Sequence, residues 1–167
     1  MKVYLRIPRQ ICELMRIDLA RPHAFADERI GFARAMTGMV AGGIVVLLNA
    51  YLPIPDDQYL EDPNVGARIN GAAIRGAMQD ILDHGVTHGM FHVHMHFRRG
   101  RTGMSRTDAE EIPKLVRSFG NLASQVPHGL LILTPDHAFA KVLLPGASGL
   151  HQVDKTIIVG YPMEILK

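Results

Sequence analysis

Five of the nine histidines, His84, His88, His92, His94 and His96, fall within the thirteen residues 84 to 96. In the stretch FHVHMHF, residues 91 to 97, every second position is a histidine. On a β-strand His92, His94 and His96 therefore share one face, while Phe91, Val93, Met95 and Phe97 take the other. Neutral imidazole is the commonest protein ligand for zinc, and a catalytic zinc typically takes three protein ligands and leaves a fourth place for water. Two strand histidines two apart supply two ligands. The next acidic residue along the chain is Asp108, in the run Ser105-Arg106-Thr107-Asp108. At a helix start, Ser105 and Asp108 lie on one side of the first turn. The same spacing is close to a capping box, in which the two side chains satisfy free backbone amides, and the two roles are compatible. His84 and His88 have ordinary structural explanations. The first sits where a helix ends and its dipole favours a cation, and the second precedes Gly89 on the approach to a strand.

The elements that must position these residues follow from pattern. Residues 8 to 21 read as an amphipathic helix opened by Pro8, with Ile11, Leu14, Met15 and Ile17/Leu19 at helical spacing and Pro22 as its stop. From Glu28 to Pro55 two apolar β-type runs are punctuated by Gly38 and by the Gly42-Gly43 pair, which predicts a strand, a turn and a longer strand. IPDDQYLEDPNVGARIN, rich in proline and acid, reads as a surface loop. Helix signals resume at Asn70, with Ile74, Met78, Ile81 and Leu82 on one stripe and Gly85 as the stop. A strand over Val86 to Phe97, an arginine- and glycine-rich loop and a helix from Ser105 to about Ala123 come next, with Pro113 limiting or kinking that helix. GLLILT, AFAKVLLP and KTIIVGY close the chain as strands. No repeat or linker divides it, so a single mixed domain is expected.

Composition bounds the function. A chain of 167 residues with 47% apolar and 20% charged residues suits one folded domain. A net charge of +2 offers no general attraction to nucleic acid, and neither nucleic acid nor membrane is expected as a partner. Cys12 is the sole cysteine, so no internal disulfide or cysteine-based structural zinc can form, which points to a reducing, cytoplasmic compartment. Charged residues interrupt the first stretch before any signal-like apolar run develops. The apolar segment Met39 to Leu52 contains Gly42, Gly43 and Asn49 and is too short to span a bilayer.

These residues together resemble the JAMM (MPN-domain) zinc metallopeptidases, above all their prokaryotic branch. Glu28 in ERIGF is similar to the family's strand-opening glutamate, Gly89 precedes His92-Val93-His94 at the family's offset, and Ser105 and Asp108 complete the motif. The likeness covers about Ile7 to Leu144. It implies an α+β, cytidine-deaminase-like domain with a mixed sheet flanked by helices, and zinc held by His92, His94 and Asp108. It further implies Glu28 as general base and acid, Ser105 as an oxyanion donor, and cleavage after the C-terminal glycine of a ubiquitin-like modifier. Arg98, Arg99, Arg101 and Arg106 surround the site, and the loop from Asp56 to Asn64 falls where the family carries a substrate clamp. Two departures stand out. Ten residues separate His94 from Ser105 and eight separate His96 from it, where the family commonly has about seven. Gly89 aligns the His92/His94 pair, with His94/His96 as the other register. Met95 also replaces the proline usual after the second histidine, and His96 is expected to take over its constraint on the following loop as a supporting or substrate contact.

A rival resemblance comes from the histidine triad nucleotide hydrolases and transferases, whose strand histidine attacks phosphorus without a metal. Arg98 breaks the last apolar position of that signature, about seventy residues follow it here, and it gives Glu28, Ser105 and Asp108 no task. A non-catalytic MPN-like scaffold is a third class, opposed by the presence of every ligand residue.

Overall fold

The computed structural model describes residues 1–84 and 87–166. Strands drawn from Lys2 through Leu166 join one mixed, nine-stranded sheet with three helices, an α+β architecture. The strands are β1 (Lys2–Pro8), β2 (Ile30–Val40), β3 (Gly43–Pro53), β4 (Gly89–Met95), β5 (His128–Leu133), β6 (Ala138–Leu143), β7 (Leu150–Gln152), β8 (Lys155–Val159) and β9 (Glu164–Leu166). The helices are α1 (Arg9–Leu19), α2 (Gly71–His84) and α3 (Arg106–Leu122). Across the sheet the order is β7-β6-β5-β4-β2-β3-β1-β8-β9.

The strand and helix pattern largely follows the expectations, with informative differences. β1 precedes the expected opening helix: Val3, Leu5 and Ile7 alternate with more exposed residues and point into the core. It pairs in parallel with both β3 and β8, well inside the sheet. The β2–β3 hairpin turns at Gly42, whose φ of 79° suits glycine. In α1 the buried stripe is Cys12, Met15 and Leu19, while Leu14 and Ile17 face solvent. In α2 it is Ala73, Ala77 and Ile81, with Leu82 exposed. Small alanines turn that face inward because they permit close approach to neighbouring elements. Asn70 caps α2 by accepting from the Ala72 and Ala73 amides. The expected stop at Gly85 and strand start at Val86 lie outside the described residues.

Each face of the sheet has its own cover. On one side Cys12, Met15 and Leu19 of α1 pack with Val3, Leu5 and Ile7, and with Phe91, Val93 and Met95 of β4. On the other, Ala77 and Ile81 of α2 and Phe119 of α3 meet Phe32 and Met90, while Ile112 and Val116 of α3 cover Leu130 and Ile132. Strict alternation along β4 therefore sends His92 and His94 toward the α2/α3 side. The loop between β3 and α2 is packed, with Ile54 and Tyr59 buried and a bridge joining Tyr59 to Ile69. Among the described residues no helix is long and apolar enough to cross a membrane.

Candidate metal centre

Register brings the site together. β2 runs antiparallel to β4 with Ile30 opposite His94. Two residues outward along each chain stand Glu28 and His96. The His96 amide still donates to the Leu133 carbonyl at 2.8 Å, so the extended pairing outlasts β4 itself. α3 begins nearby, and Asp108 in its first turn comes within 3.6 Å of His94 Nε2.

The donor distances define a compact cluster. His94 Nε2 and His96 Nε2 are 3.2 Å apart, and His96 Nε2 lies 3.7 Å from Glu28 Oε1. Glu28, His94 and His96 form the set of three ligand-type residues, among those described, whose donor atoms all lie within 4.8 Å of one another. His92 and Asp108 stand just outside it. The His92 and His94 ring centroids are 5.4 Å apart, and His92 packs edge-on against Phe32. Donors about 2.1 Å from a common ion at tetrahedral angles sit roughly 3.4 Å from one another. The separations of 3.2, 3.6 and 3.7 Å bracket that edge length.

The protonation states suit cation binding. Burial, reinforced by His94, pushes the His92 imidazole down to about 3, with Asp108 opposing. Burial likewise takes His94 to about 4, against the pull of Asp108 and with the help of His96. Both rings are neutral at pH 7 and offer lone pairs. Among the described residues His92 Nδ1 and His94 Nδ1 are buried with no hydrogen-bond partner, and since His94 turns Nε2 to the cluster, its Nδ1 faces away from the ion position. The donor set and its spacing thus fit a divalent metal ion.

The carboxylates are held by different means. Ser105 Oγ accepts from the Asp108 amide at 3.1 Å and Asp108 Oδ2 accepts from the Ser105 amide at 2.8 Å, so the SRTD run is a complete capping box. Burial alone would raise Asp108, but His94 and the two Ser105 contacts outweigh it and keep the carboxyl low. Because the Ser105 oxygen accepts from backbone, its hydrogen is free to point elsewhere. Glu28 is raised by burial, partly offset by His96 and reinforced by Asp108 and Asp27. Its amide donates to Gly66 O at 3.0 Å.

Several supports were not singled out by residue type or spacing. Buried Arg29, next to Glu28, donates to the carbonyls of Arg21 and Pro22 and to Asp56 Oδ1, tying the chain on both sides of the glutamate. Gly66 lies so close to Glu28 that an added Cβ would sit 3.0 Å from its carboxyl carbon. Thr102 Oγ1 is 2.8 Å from His96 Nδ1 and leaves the ring's Nε2 toward the cluster. Asp136 Oδ1 accepts from the Gly100 amide at 2.9 Å and from Thr134 Oγ1 at 3.2 Å, clasping the arginine loop to the β5–β6 turn. The Glu28–Gly66, Arg29–Asp56 and Gly100–Asp136 contacts join residues far apart in the chain and carry no local signature. His84 and His88 lie apart from the centre: His84 Nδ1 contacts the Asp80 carbonyl, and His88 contacts Thr87.

Fold and centre together define an α+β protein with a histidine and carboxylate cluster able to hold a metal ion. In comparisons with known proteins, no family model matches the chain and no curated protein matches it.

Proposed function

We propose that this chain is a zinc-dependent peptidase of the JAMM type, with an MPN-like fold, that cleaves after the C-terminal glycine of a ubiquitin-like modifier. The observation that carries this reading is the convergence of three separate stretches of the chain, Glu28, the pair His94 and His96, and the pair Ser105 and Asp108, on one end of β4. His94 and Asp108 are the ligands common to both possible registers. The 3.2 Å approach of His96 to His94 favours His96 as the further histidine over the more deeply placed His92.

Held by His94, Asp108 and a further histidine, a zinc ion would supply Lewis acidity toward a carbonyl and a water near neutral pH. Glu28 Oε1, poised above the ordinary glutamate range by burial, takes a proton from the attacking water and returns it to the leaving amine. Ser105 Oγ–H is free to donate to the oxygen on which charge develops. Asp108 is held by its cap, so it enters the reaction already oriented. The histidine triad reading draws less support, because His92 and His94 are almost wholly buried and a nucleophile must reach its substrate.

Metal content and cleavage of a ubiquitin-like fusion test the proposal. One zinc per chain is expected, lost in His94→Ala and Asp108→Ala. Glu28→Gln should keep the metal and lose roughly 10²- to 10⁴-fold in rate. Zinc retained by His96→Ala and lost from His92→Ala would restore the other register. A metal-free protein that hydrolyses a nucleoside phosphoramidate would overturn the peptidase reading.

A further inference from the structure

A groove of about 600 Å³ opens beside the cluster, with Glu28, His96 and Ser105 among its lining residues and Arg98 and Arg101 among the others. This volume suits several residues of an extended chain. The arginine loop is anchored at two points. Gly100 is bound through its amide to Asp136, and Thr102 is bound to His96.

Its guanidinium groups are unspent. Arg98, Arg99 and Arg101 enter no ion pair among the described residues, whereas Arg29, Arg34, Arg68 and Arg106 all do. An exposed arginine without a carboxylate is a planar donor fork awaiting a bidentate acceptor. Asp27 and Glu28 also line the groove, so it is charged with opposite signs and a ligand carboxylate belongs with the arginines.

We propose that this groove selects an acidic peptide segment, with a substrate Asp or Glu seated on Arg98 and Arg101 while the adjoining backbone passes Glu28 and His96. The inference rests on the peptidase reading for the identity of the ligand as a peptide. Arginine forks fix direction as well as affinity, so the same contacts would set which bond is presented.

The test uses zinc-loaded Glu28→Gln protein, which binds without turnover, and two fluorescein-labelled peptides that differ only in an Asp-Glu or a Lys-Lys pair after Gly-Gly. Fluorescence anisotropy should show the acidic peptide binding roughly tenfold tighter or more, with the preference shrinking as salt rises. Arg98→Glu/Arg101→Glu in the same background should reverse the order while circular dichroism stays unchanged. Equal binding of both peptides, or a preference untouched by the charge reversal, overturns the proposal. So does an oligonucleotide of matched charge that binds more tightly than the acidic peptide. The wild-type enzyme separates the two readings. Cleavage of both peptides with equal KM retains the peptidase and refutes the acidic groove. An acidic preference in binding, with neither peptide cleaved, supports the groove and counts against the peptidase.

Discussion

Acid should destabilise the metal-free protein through its two buried imidazoles. His92 and His94 are neutral in the fold, pushed down to about 3 and about 4 chiefly by burial, whereas in an unfolded chain each titrates near 6.5. Below that value the unfolded state binds protons that the folded state refuses, so stability rises with pH and falls as pH drops through 6.5. At pH 5 each unfolded imidazole gains ~2 kcal/mol from protonation and each folded one almost nothing, giving ~4 kcal/mol for the pair relative to pH 8. His128, also lowered by burial, adds in the same direction, and Glu28, raised by burial, acts in the opposite one. Urea unfolding of chelator-treated protein at pH 8 and pH 5 reads the effect, and with a slope of ~2 kcal/mol/M the midpoint should fall by ~2 M. The H92Q/H94Q variant should lose most of this dependence. If it keeps the full acid loss, or the wild type has the same midpoint at both pH values, the two rings are not buried and neutral as described. Excess zinc should add stability at pH 8 and little at pH 5, since the ligands must be deprotonated.

Gly66→Ala places a methyl against the Glu28 carboxyl at 3.0 Å. Because Glu28 is the flexible end of a side chain, the melting temperature should hold while kcat falls roughly tenfold or more. In a Glu28→Gln background the same change should have no further effect, and additive losses would show that Gly66 acts by another route. Thr102→Val removes the partner of His96 Nδ1, and competition with a chelator should show zinc affinity weakened roughly 10- to 100-fold, with Thr102→Ser restoring it. Unchanged affinity in Thr102→Val would remove His96 from the metal shell. Ser105→Ala deletes the cap of α3 and should cost ~1 kcal/mol in urea unfolding even without metal. A neutral result there would mean that Asp108 needs no help from Ser105.

Much of this architecture is legible without coordinates. The Gly42 turn between β2 and β3, the Asn70 and Ser105 helix starts, and the alternation that puts Phe91, Val93 and Met95 opposite the histidines are all local patterns. Local chemistry decides them through glycine's freedom at positive φ, side-chain oxygens that reach the first free amides, and the two-residue period of a strand. β1 has an equally clear alternation in Val3, Leu5 and Ile7, but the helix beginning immediately after Pro8 gives the stronger signal.

Sequence by itself determined which residue types are available for a metal and that three histidines share a strand face. It did not determine which of those histidines meet the carboxylates. That choice belongs to the β2–β4 register, which sets Ile30 opposite His94 and brings Glu28 toward His96, and to the docking of α3, which carries Asp108 to His94. Pairing register and helix docking minimise the free energy of the whole core, so no window of residues around position 92, 94 or 96 contains them. The same holds for Gly66 and Thr102, whose importance lies only in what folding puts beside them.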